Sequence, residues 1–361
     1  MRGYTQNKNF TGSCAIIGRQ GAYCGNVHYY SGEAYMTEHA VIAEPNNKAN
    51  ARFLAYYLGL LPLIRLQGQS AQPGLAVSNL RKLKLELPEM AVQERVAKLL
   101  SALDSKIEHN KRMSERLEKQ AQLLYDYWFL QFDFPDENGR PYRSRGGKMV
   151  WNETLKREIP AGWKVYGIDE FFSIKRGVTY SSSDVSDVPR KGYTPILRAN
   201  NIDYGTIVWQ GLVYVKNEKI DSEQYIRKND IIITLSSGSK EHVGKIACAW
   251  GNFDCSYGAF CGKLCIQTEH VAYIRCVLSS PLFRRYIKHY LLGTNINNIN
   301  RGTMRMFRIP HPSNSLISQF QKTVAPIFER CAVLHSEIKL LSSLRDYLLP
   351  LLMTGQVRVD A

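Results

Sequence analysis

Residues 91–130 read AVQERVAKLLSALDSKIEHNKRMSERLEKQAQLLYDYWFL. Val96, Leu100, Leu103, Ile107, Leu117, Ala121, Leu124 and Trp128 recur in it at alternating steps of four and three, with Asn110 and Ser114 in the two middle places. That is a heptad seam, the period at which a helix buries one stripe against a second helix. Adding 224 to each number gives Phe320, Val324, Ile327, Cys331, Leu334, Ile338, Leu341, Arg345, Leu348 and Leu352, in the same unbroken register. Both seams follow a short apolar stretch with proline near its end, LKLELPE at 83–89 and MFRIPHP at 306–312, and each stretch is expected to be a strand. Shared register over about forty residues identifies a duplicated unit.

The duplication extends upstream at an offset of 219: Gly25-Asn26-Val27 matches Gly244-Lys245-Ile246, and Thr37 and Ala40 match Ser256 and Ala259. The chain is therefore expected to run as a domain at 1–88, a long helix at 89–130, a linker at 131–150, a second domain at 151–312, a second long helix at 313–353 and a tail at 354–361. The fold class is α+β, with two mixed α/β domains separated by two long helices. Related by a pseudo-two-fold, the helices pack as an antiparallel coiled coil. Val96, Leu100, Leu103, Ile107, Leu117 and Leu124 then face Phe320, Val324, Ile327, Leu334, Ile338, Leu341 and Leu348. At 1.5 Å per residue each helix is roughly 60 Å long, a strut between the domains. Residue 1 corresponds to about residue 220, so residues 163–219 have no counterpart in the first unit, and the first domain is expected to be truncated at its N-terminal side.

Charge follows the same division. Of a formal net charge of +15, thirteen excess positive charges fall within 1–88 and 151–312, while the seam segments are near neutral. Basic domains point to an anionic partner. With 44% hydrophobic residues, 21 Tyr and 13 Phe, the composition is that of a folded protein rather than a disordered basic tail. No apolar run reaches membrane-spanning length, the N-terminus has no signal-peptide core, and the expected location is the cytoplasm. Eight Cys in a chain of this length make no disulfide scaffold; Cys255, Cys261 and Cys265 lack CxxC spacing and read as strand rather than a zinc site.

Catalytic patterns are not found. The segment 238–245 (GSKEHVGK) is one residue too long for a phosphate loop and is followed by Ile246. No Pro-Pro turn of an amino-methyltransferase and no Gly-x-Ser-x-Gly elbow occurs. Asp133, Asp136 and Glu137 begin a nuclease-like acidic cluster, but no Glu-x-Lys partner follows in the linker, and the segment FDFPDENGRPY reads as a polar turn. No catalytic residue, metal ligand or bound cofactor is expected.

Recognition needs cations for phosphate and amides or guanidinium groups for base edges. Gly-bracketed loops supply both. In the second domain these are Lys175, Arg176 and Tyr180; Arg198, Asn200 and Asn201; and Ser237, Ser239, Lys240, His242 and Lys245. In the first they are Arg19, Gln20 and Tyr23. Gln69, and Asn295, Asn297 and Asn298, precede the two helices. Arg pairs with guanine O6/N7 and Asn with adenine N6/N7, so these residues are candidate DNA contacts, with Lys175, Arg176 and Lys245 mainly holding phosphate. The alternative reading of each amide is an ordinary Asx turn.

The segments GRQGAYCGNVHYY (18–30), LKLELPEMAVQERVAKLLSALDSKIEHNKRMSERLEKQAQLLYDYWF (83–129), WNETLKREIPAGWKV (151–165) and LRDYLLPLLMTGQVRV (344–359) resemble the specificity subunit of type I restriction-modification enzymes over nearly the whole chain. The resemblance implies a non-catalytic subunit whose two target-recognition domains each read half of a bipartite sequence in double-stranded DNA, the helices fixing the spacer. It further implies partners: two modification (methyltransferase) subunits, and restriction subunits that translocate and cleave DNA. S-adenosylmethionine, ATP and Mg would sit on those partners. Two rival readings stay open: an assembly partner or decoy lacking full DNA specificity, and a nuclease built on Asp133, Asp136 and Glu137.

Overall fold

The computed structural model describes residues 6–67, 74–203, 205–292 and 298–359, less the side chain of Ala22. Two compact units divide the chain: residues 1–110 with 337–361, and residues 111–336. The division falls inside both long helices, so each unit contains a stretch of each.

Unit one begins with β1 (Phe10–Gly18), β2 (Val27–Ala34) and β3 (Ala40–Ala43), followed by helices α1 (Ala51–Leu60), α2 (Val77–Leu80) and the first turns of α3 (Met90–Tyr125). The strands form an antiparallel sheet in the order β2-β1-β3, in register Ile17↔Val27 and Ile16↔Ile42. Ala15, Ile17, Leu54, Leu58 and Leu63 pack between sheet and α1. Asn50 caps α1, its side-chain oxygen accepting from the Arg52 and Phe53 amides. Gln93, fully buried, accepts from the Asn50 amide and donates to the Lys48 and Pro88 carbonyls, tying α1 to the start of α3.

Unit two has more layers. After the last turns of α3, a π turn (Asp126–Leu130) leads to the hairpin β4 (Met149–Asn152) and β5 (Arg157–Pro160), then β6 (Lys164–Gly167) and β7 (Phe172–Arg176). Next come β8 (Val185–Ser186), β9 (Tyr193–Leu197), β10 (Ile202–Asp203), β11 (Thr206–Ile207) and β12 (Val213–Lys216). Then follow β13 (Ile231–Thr234), β14 (Ile246–Cys248), β15 (Ser256–Tyr257) and β16 (Cys261–Ile266). Helices α4 (Val271–Ser279), α5 (Pro281–Leu292) and α6 (Arg301–Met306), strand β17 (Arg308–His311) and helix α7 (Asn314–Met353) complete the order.

Two four-stranded sheets, β14-β13-β16-β7 and β15-β9-β12-β8, carry unit two. The run Ile231-Ile232-Ile233-Thr234 is buried throughout because both faces of β13 are covered: Ile231 and Ile233 enter the core shared with α4, and Ile232 enters the core beneath Leu197 and Tyr257. An aromatic hub closes the C-terminal end of α3. There Phe129 stacks edge-on against Tyr273 and Phe320 at 4.8 and 5.0 Å between centroids.

The duplicated unit is visible in backbone detail. The sheet order β2-β1-β3 repeats as β14-β13-β16. Gly25 and Gly244 both take positive φ, +84° and +79°, immediately before β2 and β14. The Gly18 amide donates to the Asn26 carbonyl and the Gly25 amide back to Gly18, as Thr234 does with Lys245 and Gly244 with Thr234. The Leu75 amide donates to Arg19, and the Ile299 amide to Leu235. Among the described residues, unit one has no counterpart of β7 or of the β15-β9-β12-β8 sheet.

All twenty seam positions are buried or half-buried. Within unit one, Val96 and Leu100 pack with Leu348 and Leu352, and Arg345 donates to Asp104 at 2.9 Å. Within unit two, Ser114 meets His335 Nε2 at 3.0 Å, and Phe320 and Val324 pack with Ala121 and Tyr125. As numbers rise on α3 they fall on α7, so in each unit the helices run antiparallel. One expected strand is absent: residues 83–89 form no strand. Their counterpart β17 pairs with β6, which belongs to the stretch that has no equivalent in unit one.

Candidate nucleic-acid interface

The loops singled out in the sequence converge in unit two on one open cleft of about 1040 Å³. Tyr180, Arg198, Asn200, Ser237, His242 and Asn298 all line it. The C-terminal ends of β9 and β13 lead two of these loops to the same space, and a bridge between Ser236 and Asn298 brings in the third.

Its polar groups are incompletely satisfied. Nδ1 of His242 and Oδ1 of Asn298 are buried without a hydrogen-bond partner. A buried unpartnered polar atom costs about 1–3 kcal/mol, recovered when a ligand supplies the missing donor or acceptor. Burial raises the Tyr180 phenol above its usual range, against the lowering effect of Arg198, so it stays a neutral donor and acceptor. Arg198, at the cleft, is exposed and donates one bond to the Gly211 carbonyl at 2.9 Å. The loop 236–242 is shaped by its own hydroxyls: Ser237 accepts from the Ser239 amide, and Ser239 from the Glu241 amide.

Several sequence expectations change. Asn201 is fully buried; its oxygen accepts from the Arg198 amide and its nitrogen donates to the Val208 and Gln210 carbonyls, so the side chain holds the loop and reads no base. Lys175 and Arg176 lie in strand β7 rather than a loop, and Lys175 pairs with Glu223, which raises its pKa further. Lys245, largely buried, is paired with Asp203 at 2.8 Å. Lys240 donates to the Leu291 carbonyl and, with Lys245, lines a different cleft behind the loop. In unit one, Arg19 donates from Nε to the Leu75 carbonyl and Gln20 meets His39 at 3.2 Å, whereas Tyr23 is 71% exposed. Gln69, Asn295 and Asn297 lie outside the described residues.

Sequence reasoning missed Phe260, which lines the cleft with 68% of its surface exposed. Its signal was present: an aromatic residue in a Gly-bracketed turn, YGAFCG, between two strands. The acidic turn behaves as read: Asp136 accepts from the Asn138 and Arg140 amides and Asp133 from the Ser144 amide and hydroxyl, so both carboxylates are engaged locally. Among the described residues, no group of three His, Cys, Asp or Glu side chains could hold a metal, and no helix is long and apolar enough to cross a membrane.

The sequence profile described as type I restriction modification DNA specificity domain matches residues 2–119 and 160–338, more than half of the chain and once in each unit's recognition region. The chain belongs to this family. Its similarity to type I restriction enzyme specificity subunits is 36% over 160 residues for StySPI of Salmonella potsdam and 36% over 158 residues for EcoKI of Escherichia coli K12. Each alignment covers 43% of this chain and 34% of the relative, so the chain matches about a third of their length. The MjaIX specificity subunit of Methanocaldococcus jannaschii is 24% identical over 296 residues, 82% of this chain and 65% of that one. The crystal structure of a type I restriction-modification S subunit from M. genitalium covers 100% of this chain and 86% of its own at 18% identity, with a TM-score of 0.55, and shares the fold.

Proposed function

We propose that this chain is the DNA-specificity subunit of a type I restriction-modification complex, acting in the cytoplasm. The observation that carries the reading is the unit-two cleft. Arg198, Asn200, Ser237, His242 and Asn298 converge there, two of them with buried polar atoms lacking partners. Base edges in a DNA groove present the donors and acceptors these groups lack. The cleft reads one half of a bipartite site and the loops of unit one the other. The chain itself does no chemistry; modification subunits, two per chain, bring S-adenosylmethionine and methylate adenine, and restriction subunits bring ATP and Mg and cleave.

A docking surface for helical partners supports the scaffold role. Within unit one, Leu340, Leu344 and Tyr347 on α7 are 71%, 45% and 68% exposed at spacings of four and three, an apolar stripe left unpaired by the seam. The test is methylome sequencing of cells expressing the modification subunits with and without this chain. A chain-dependent bipartite methyladenine motif is expected, with one half altered by Arg198→Ala plus Asn200→Ala. A chain that assembles yet directs no methylation is the decoy, and that outcome refutes the reading.

A further inference from the structure

The loop 236–246 is a wall between two clefts. Ser237, Gly238 and His242 face the recognition cleft, while Lys240, Glu241 and Gly244 face a second cleft of about 870 Å³ lying between the loop, α3 and α5. Seven basic side chains line this second cleft against two acidic ones, Glu118 and Glu241. Three of the cations, Arg284, Arg285 and Lys288, are exposed on one helix, with Arg284 and Lys288 one turn apart.

Deeper in, Arg275 is buried between Trp250 and Phe328, its guanidinium carbon 3.7 and 4.1 Å from their ring centroids. One of its terminal nitrogens lies 3.5 Å from Glu118 but makes no hydrogen bond. Glu118 balances this buried charge, so the exposed cations of α5 are the ones left to meet an anion in the cleft.

Among the described residues, the equivalent place in unit one is built with fewer cations. Gly25 abuts Ile64 where Gly244 abuts Ile287, so the turn Leu63–Leu66 and helix α5 occupy equivalent places. The turn has four residues and one cation, Arg65; α5 has twelve residues and brings three cations to the cleft. The α5 cations lie beside the recognition cleft. Gly238 and Lys240, on opposite sides of the wall, are two residues apart and hence at most about 7 Å. That is about two steps along a duplex carrying one phosphate per 3.4 Å of each strand.

We propose that the α5 cleft grips the phosphodiester backbone of the DNA whose bases occupy the recognition cleft, a sequence-independent clamp. The inference rests on the DNA-recognition reading above. Phosphate is the shared chemistry of a backbone and of free polyphosphate, and the experiment separates them.

The full chain, assembled with its modification subunits, is titrated with fluorescent duplexes carrying the recognised motif or an unrelated sequence, between 50 and 200 mM salt, roughly the range over which phosphate contacts dominate the salt dependence. Arg284→Ala/Arg285→Ala/Lys288→Ala is expected to weaken both duplexes by the same factor. It should flatten log K against log salt by about 0.9 for each phosphate left without its cation, up to roughly 2.7, with the preference ratio unchanged. An unchanged slope overturns the clamp. An unchanged slope with lost retention of modification subunits makes the cleft a protein dock instead, and an unchanged slope with lost tripolyphosphate binding makes it a small-anion site; either overturns the proposal. Failure of the underlying reading is seen separately, as a preference ratio that Arg198→Ala plus Asn200→Ala does not move.

Discussion

Asn200 and Asn201 are adjacent in sequence, chemically identical, and expected to fail in opposite ways. Asn201 has no exposed surface and makes three hydrogen bonds, at 2.9 Å from the Arg198 amide and at 2.8 and 2.9 Å to the Val208 and Gln210 carbonyls. Asn201→Ala removes all three and leaves their backbone partners to find water or go without. At about 1 kcal/mol for each bond, the loss is about 3 kcal/mol. For a unit of this size, each kcal/mol moves Tm by about 2–4 °C, so the transition of unit two falls by roughly 6–12 °C. Asn200, exposed at the cleft, should leave Tm within 2 °C, roughly the 0.5 kcal/mol scatter of surface substitutions, and change the methylated motif instead. Calorimetry of both variants, with methylome sequencing of the cells expressing them, decides. A stable Asn201→Ala with an altered motif would refute the assignment of that amide to the loop.

His335 is held down to about 4, first by burial and then by Arg275, with Trp250 stacked on its ring and Glu118 and Ser114 facing it. The folded state therefore binds fewer protons than the unfolded one between about pH 6.5 and 4. Its contribution, at most about 3 kcal/mol, is present above 6.5 and is lost as pH falls through that window. Burial raises Glu118, which acts in the opposite sense, its share being lost as pH rises past its folded value; His335→Gln should flatten the loss below pH 6.5 in pH-dependent melts. Gly25→Ala should destabilise more than Gly244→Ala, both by about 1–3 kcal/mol. Each φ is positive, but the added Cβ meets the Ile64 backbone nitrogen at 2.9 Å in the first case and the Cγ2 methyl of the Ile287 side chain at 2.7 Å in the second. Thermal melting ranks them. Phe260→Ala should leave Tm unchanged and weaken DNA binding by about 5- to 150-fold, if the ring stacks on or wedges between bases at 1–3 kcal/mol; equal affinity in a titration would remove it from the interface.

The helices were legible because a seam needs only a period. Twenty positions spaced four and three are enough to specify which stripe is buried, and the buried Asn110 and Ser114 did not hide it. The short strands were less so. Residues 83–89 have the composition of β17 but not its partner, and pairing is a property of two segments, not one. The same limit governed the site. Loop composition pointed toward the unit-two cleft, although Lys175, Arg176, Lys240 and Lys245 lie elsewhere. It did not distinguish Asn200 from Asn201, because a three-residue turn points one amide outward and folds the next back onto Val208 and Gln210. Nor did it separate Ser237 from Lys240, which the turn of one loop sends into different clefts.

Under the proposed function, that loop and its counterpart let one frame carry two specificities. In unit one, the reciprocal bonds of Gly18 with Asn26 and Gly25 close a loop of six residues, 19–24; in unit two, those of Thr234 with Lys245 and Gly244 close a loop of nine, 235–243. Lengthening a closed loop from six to nine costs only about 0.4 kcal/mol of closure entropy, while three residues add up to about 10 Å of reach. The anchors can therefore be held constant while the reading surface between them changes. Grafting residues 235–243 between Gly18 and Gly25 puts this to a test. The graft keeps a positive-φ glycine at its end and the backbone carbonyl that receives the Leu75 amide, and loses the side-chain bonds of Arg19 to Leu75 and of Gln20 to His39, about 1 kcal/mol each. The chimera should melt within a few degrees of the parent while the half-site read by unit one changes. If it fails to fold, the anchors are not interchangeable and the two loops are not equivalent parts of a duplicated reader.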